Sequence, residues 1–136
     1  MRPTVWLILS LVAFAARAEM YPVTAADELF FEQIKKAISK EDVKWLSEAI
    51  GYPIFLKTQN RAIKLKNKSD FTDHSALILS ARFKSTVQEQ SPHTLFKKWQ
   101  GVMIGNGKIW FSQVGEKNGN GILWVYRIIA INAVDQ

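Results

Sequence analysis

His74 and His93 are the only histidines in the chain, nineteen residues apart and with no neighbouring ligand pattern. A metal centre needs several His, Cys or carboxylate ligands at suitable spacing, so none is expected from these two. There is no cysteine, which excludes disulfides, thiolate metal sites and a cysteine nucleophile. No Gly-x-Ser-x-Gly elbow raises a serine to nucleophilic duty. Gly105-Asn106-Gly107 and Gly119-Asn120-Gly121 are glycine-rich like phosphate loops. Each lies between extended segments, however, with no helix following to present its amides. They read as turns. No catalytic residue, metal or cofactor is assigned.

Two features could support binding. Lys57, Arg61, Lys64, Lys66 and Lys68 fall within twelve residues, with no acid between Glu48 and Asp70. Such a patch steers an anionic partner such as peptidoglycan, lipid headgroups or an acidic protein. The same lysines would also guard an exposed edge strand against edge-to-edge pairing. Arg127 sits between Val125 and Ile129 on an otherwise apolar run, where a lone charge is costly unless paired. It would anchor a carboxylate ligand, form a salt bridge to a helix carboxylate such as Glu32 or Glu48, or emerge at a sheet rim.

Helices and strands must position these residues. Thr24 with Asp27 makes a capping box that opens a helix carrying Leu29, Phe30, Ile34, Ala37 and Ile38 on one stripe. Ser39 with Asp42 repeats the pattern for a second helix ending at Gly51. Alternation around Ile54–Leu56 and Ile63–Leu65 predicts two short strands. Ser69 is expected to cap a third helix running from Asp70 through the low 80s.

The last third is the clearest. Trp99–Ile104 and Lys108–Val114 flank Asn106-Gly107, a strong hairpin signal. The implied register pairs Ile104 with Ile109, Met103 with Trp110 and Val102 with Phe111. Trp99, Met103 and Trp110 then share one face, and Ile104, Ile109 and Phe111 the other. After a second turn over Gly115–Gly121, the final strand Ile122–Asn132 is apolar on both faces. It carries Ile122, Trp124, Tyr126 and Ile128 on one and Leu123, Val125, Ile129 and Ile131 on the other. A sheet apolar on both faces needs cover on both, and three helices cover only one. The other face must line a cavity or meet a partner.

Composition agrees with one globular domain: 136 residues, 48% hydrophobic and 22% charged. Met1 and Arg2 precede the apolar run Val5–Ala16, which is too short to span a bilayer. Ala16-Arg17-Ala18 then places small residues for signal peptidase, giving a signal peptide over 1–18 and a single domain over 19–136. Loss of Arg2 and Arg17 leaves 16 basic against 12 acidic groups, a net charge of +4. No transmembrane span is expected after cleavage. That modest charge, without an aromatic–basic stacking motif, argues against nucleic acid as a partner.

The order of elements resembles the nuclear-transport-factor-like (cystatin-like, SnoaL-like) superfamily. Locally the chain is similar to small exported bacterial proteins of that superfamily with no assigned activity. The residues that carry the likeness are Tyr52-Pro53-Ile54, Ile63 to Phe71, Gly101 to Phe111 and Ile128 to Asn132. The resemblance implies an α+β fold, N-terminal helices packed on a curved antiparallel sheet shaped as a cone with a cavity at its open end. Enzymatic members carry an acid/base carboxylate, His or Tyr in the cone, and no residue here maps onto one. The expectation is a noncatalytic periplasmic binding or accessory module, in its specific form an immunity- or inhibitor-type protein. Its partner would be a small apolar ligand or a periplasmic protein, with a homodimer through the sheet as the favoured association. The alternative is a small isomerase-, cyclase- or dehydratase-type enzyme acting on an apolar substrate. Candidate cavity or interface residues are Tyr52, Trp99, Met103, Trp110, Phe111, Trp124 and Arg127. The cleavage site yields a direct prediction: intact mass of exported material should place the mature N-terminus at Glu19, and a full-length product would refute the export signal.

Overall fold

The computed structural model describes residues 20–134; the expected cleavage site between Ala18 and Glu19 lies outside them. The fold is α+β, four α-helices packed on a six-stranded sheet. The helices are α1 (Ala25–Ser39), α2 (Val43–Ala49), α3 (Lys68–His74) and α4 (Ala81–Glu89). The strands are β1 (Ile54–Lys57), β2 (Ala62–Leu65), β3 (Phe96–Lys98), β4 (Gly101–Ile104), β5 (Ile109–Asn118) and β6 (Gly121–Asn132). They lie in the order β2-β1-β6-β5-β4-β3. One contact departs from the expected antiparallel sheet: β1 runs parallel to β6, with Leu56 beside Ile131.

The capping box on α1 forms as its residues require, Thr24 and Asp27 each bonding the other's backbone N–H. The buried stripe of α1 is Phe30, Phe31, Ile34, Ala37 and Ile38, so Phe31 takes the inward place expected for the exposed Leu29. Helical spacing explains the exchange, because Phe31 lies four residues from Asp27 and three from Ile34. Ser39 ends α1 instead of capping α2, and the cap is Asp42, which accepts from the Trp45 N–H. The expected third helix is two. Asn67, not Ser69, caps α3, a short 3₁₀ turn follows at Ser75–Leu77, and Ser80 caps α4. A second side-chain cap inside the run gave the chain a place to break.

The β4–β5 register is the expected one: Ile104 with Ile109, Met103 with Trp110, Val102 with Phe111. The connection is wider than a two-residue Asn-Gly turn. Gly105, Asn106 and Gly107 all take positive φ, and the Lys108 N–H closes on the Ile104 carbonyl at 3.0 Å. Trp99 is not in a strand; it tops the β3–β4 turn, 75% exposed. β5 continues through Gly115 to Asn118, pairing with β6 to the Asn118–Gly121 turn. A bulge then intervenes, since Trp110 faces Ala130 while Phe111 faces Ile128. The extra residue changes the parity of β6, so Ile128 and Ile131 are both buried, not on opposite faces.

Gly101 is forced. Its φ is +143°, and a Cβ there would lie 2.5 Å from the Phe111 carbonyl oxygen. Gly101→Ala should cost about 1–3 kcal/mol in denaturant unfolding, through backbone strain plus the clash. An unchanged midpoint would contradict this packing of β4 on β5.

Candidate functional site

The most organised polar cluster centres on Asp27, which is buried. Its Oδ2 accepts from the Thr24 N–H at 2.9 Å and from Lys97 Nζ at 2.6 Å, and its Oδ1 accepts from the Tyr126 hydroxyl at 2.7 Å. Burial alone would push this carboxyl up. The Lys97 ammonium, the Thr24 backbone and side-chain bonds and the Tyr126 hydroxyl outweigh it and hold Asp27 below the usual carboxylate range. Burial, together with the bond to Asp27, raises Tyr126. Tyr126 stacks on Phe30 with centroids 5.2 Å apart, and Phe111 and Trp45 complete the aromatic group around Phe30.

The helix-covered face of the sheet is filled. Val102, Ile104, Ile109 and Phe111 are buried against the helices, so the candidate Phe111 is core and lines no open surface. The opposite face is open. Phe55, 54% exposed, points away from the core between buried Ile54 and Leu56, and Lys64 lies opposite it. Met103 and Trp110 pair on this same outer face, with Lys98 Nζ 5.3 Å from the Trp110 ring centroid. A groove of about 280 Å³ runs between Phe55, Lys57, Trp110, Ile129 and Ala130.

A second open cleft, about 350 Å³, lies at the base of the β5–β6 hairpin between Phe30, Trp45, Glu48, Val125, Tyr126 and Arg127. Here the sheet outruns its helices. Trp124 lies across Gly115 further out on the hairpin, 64% exposed.

The candidate residues therefore separate. Met103 and Trp110 meet on the outer face, and Trp124 stands alone on the hairpin. Tyr52 follows α2, its hydroxyl donating to the Ser47 carbonyl at 2.7 Å. Burial, with Asp70 nearby, pushes Tyr52 up to about 12. Arg127 pairs with Glu116, not with Glu32 or Glu48, through bonds of 3.2 and 3.1 Å. This carboxylate stands eleven residues back across the hairpin, a partner that became visible only with the β5–β6 register. The pair leaves Arg127 engaged on the protein's own acid.

Lys57, Arg61, Lys64, Lys66 and Lys68 are all exposed around β2, an edge strand. Their positions suit edge protection, and Lys57 and Lys64 also flank the outer-face groove. His74 Nδ1 contacts the Asp70 carbonyl oxygen, and among the described residues no three acidic or histidine side chains converge as a metal site. Among the same residues, no helix is long and apolar enough to cross a membrane.

Sequence reasoning treated Asp27 only as a capping residue and missed the cluster. Lys97 and Tyr126 are 70 and 99 residues away in the chain, and neither local pattern names its partner. The fold defines an α+β domain whose sheet is buried under helices around Phe111 and open on the opposite face. No family model, curated protein or solved structure matches the chain.

Asp27→Ala should lower stability by about 3 kcal/mol at neutral pH, because Lys97 and Tyr126 lose their buried acceptor. The folded carboxyl titrates below its ordinary 3.8, so its contribution is present above that value and fades as pH falls through the folded one. Denaturant unfolding from pH 7 to pH 2 should show the gap between parent and variant closing only at the acid end.

Proposed function

We propose that this chain is an exported, noncatalytic binding or accessory module of the nuclear-transport-factor-like kind, working in the periplasm through the outer face of its sheet. An immunity- or inhibitor-type protein is the specific form of that reading. The observation that carries it is the difference between the two faces: Phe111 and its neighbours are sealed under helices, whereas Phe55 and Trp110 border an open groove.

Size and charge narrow the partner. Small-molecule sites bury most of a ligand's surface in an enclosed pocket, whereas this groove is partly open to solvent. It suits an anchoring side chain of a protein better than a small apolar ligand sealed from water. Lys57, Lys64 and Lys98 surround the apolar centre, so a partner with an acidic rim is favoured. A second copy of the same face would set lysine against lysine, which disfavours a homodimer through this surface.

The enzymatic alternative would have to work from Tyr126, the raised phenol that lines the cleft at the hairpin base. Its proton is already donated to Asp27, and Asp27 is held ionised by three donors. A lowered carboxyl and a raised phenol are both poorly matched to proton transfer near neutral pH.

Anilinonaphthalene sulfonate, an apolar dye with an anionic group, is a probe for the outer face. Trp110→Glu should fold with parental circular dichroism yet bind the dye at least tenfold more weakly, while Leu29→Lys, on the exposed side of α1, should bind it like the parent. Phe111→Glu should fail to fold, since an unpaired charge buried in this core costs several kcal/mol. Undiminished dye binding by Trp110→Glu would overturn the outer-face reading.

A further inference from the structure

The β5–β6 hairpin reaches beyond the rest of the sheet. β4 stops pairing with β5 at Val102–Phe111, and β1 meets β6 only at Ile131 and Asn132. On β6, a bridge to Ile50 at Ile128 and the Gly51 N–H on the Ile128 carbonyl are the last edge contacts. From Gly121 to Arg127 the far edge of β6 has no strand partner among the described residues. A two-stranded ribbon standing alone is marginal in water, and an unpaired edge is a template for another strand.

The chain protects its other edges. β2 carries lysines, and the β3 edge is met by the Tyr21 N–H on the Lys97 carbonyl at 2.9 Å. On the hairpin, the free edge of β5 presents Ser112, Gln113, Glu116 and Lys117. The free edge of β6 has no such residues before Arg127. Ile122, Leu123 and Trp124 are 66%, 51% and 64% exposed, and because strand neighbours point oppositely they leave both faces apolar.

We propose that a second copy of this chain covers that edge, the two β6 strands pairing antiparallel about a two-fold axis through Trp124. The apolar run Ile122–Tyr126 is centred on Trp124, so this register alone sets the whole run against itself. Ile122 faces Tyr126 of the partner subunit, Leu123 faces Val125 of the partner subunit, and the two Trp124 residues face each other. Aromatic and β-branched cross-strand pairs of this kind are favourable.

Charge agrees with the register. Arg127, already paired with Glu116, falls opposite a glycine, and no two like charges oppose each other. The cleft at the hairpin base touches Val125, Tyr126 and Arg127, three consecutive residues that point to alternate faces, so it runs along the strand edge itself. It leaves room for the end of the incoming strand. That strand ends at its narrow Gly119-Asn120 turn, where β6 is taken up by Gly51 and needs no further partner. A lipid surface is the poorer occupant. The polar Asn118–Gly121 turn would have to enter the bilayer ahead of the apolar residues.

Sedimentation of the 19–136 protein should show a dimer. Trp124→Lys and Trp124→Glu should each sediment as monomers with parental circular dichroism and melting, because the side chain is exposed within one protomer. Mixing these two variants should restore a one-to-one heterodimer, since the register places position 124 against itself. A parent that stays monomeric to about 1 mM, the weak end of specific association, would overturn the proposal. So would single variants that still dimerise, or a mixture that does not associate. Flotation of the parent with anionic phospholipid vesicles, lost in Trp124→Lys, would assign the hairpin to a membrane and likewise overturn it. Trp110→Glu should leave the dimer intact, which keeps this result separate from the outer-face reading.

Discussion

One carboxylate fixes how the helical layer meets the sheet. Asp27 belongs to the first turn of α1, yet its oxygens hold Lys97 of β3 and Tyr126 of β6, strands on either side of the β4–β5 hairpin. The charge is buried where a lone carboxylate would be prohibitive, so all its donors must be in place together. That condition locates the start of α1 over the sheet. Phe30, one turn on, then lands on Tyr126 and Phe111, and the stripe through Ile34 and Ile38 follows. Which sheet face is covered, and which is left open, follows from this placement.

Local signals were legible where the physics is local. The capping box at Thr24, the alternation in β1 and β2, and the Ile104–Ile109 register depend on residues a few positions apart. The failures have two origins, a local competition between similar residues and contacts made far along the chain. Leu29 and Phe31 are equally apolar, but helical spacing puts Phe31 on the face of Asp27 and Ile34, and that is the face the sheet covers. Asn67 and Ser69 are both capping residues two positions apart, and Asn67 wins because its side chain reaches the Asp70 N–H while Asp70 returns to the Lys66 N–H. The bulge opposite Trp110 leaves no mark in composition, yet it reverses the facing of everything after it on β6.

The same bulge links the core to the open face. By turning Ile131 inward beside Leu56, it closes the end of the core and delivers Ile129 and Ala130 to the groove with Phe55 and Trp110. Sequence reasoning gathered the right outer pair, Met103 and Trp110, because they belong to one hairpin. It could not gather Phe55, which reaches them only through the parallel β1–β6 contact, a non-local event that joins residues more than seventy positions apart. Arg127 shows the complementary point. Its residue type demanded a partner, and the demand was legible; which acid answered it depended on the register of β5 against β6.

Charge finally separates the two apolar surfaces. Around the outer groove the lysines stand on exposed strands with water to solvate them, and the apolar centre is partly open. A surface of that kind gains specificity from an acidic counterpart and repels its own copy. Along the free part of β6 the pattern is inverted: side chains are apolar on both faces, the nearest charge is already paired, and the unsatisfied groups belong to the backbone. Backbone edges take another strand whatever its sequence, so selectivity there must come from matching side chains across the pairing. A run symmetric about Trp124 finds that match in itself.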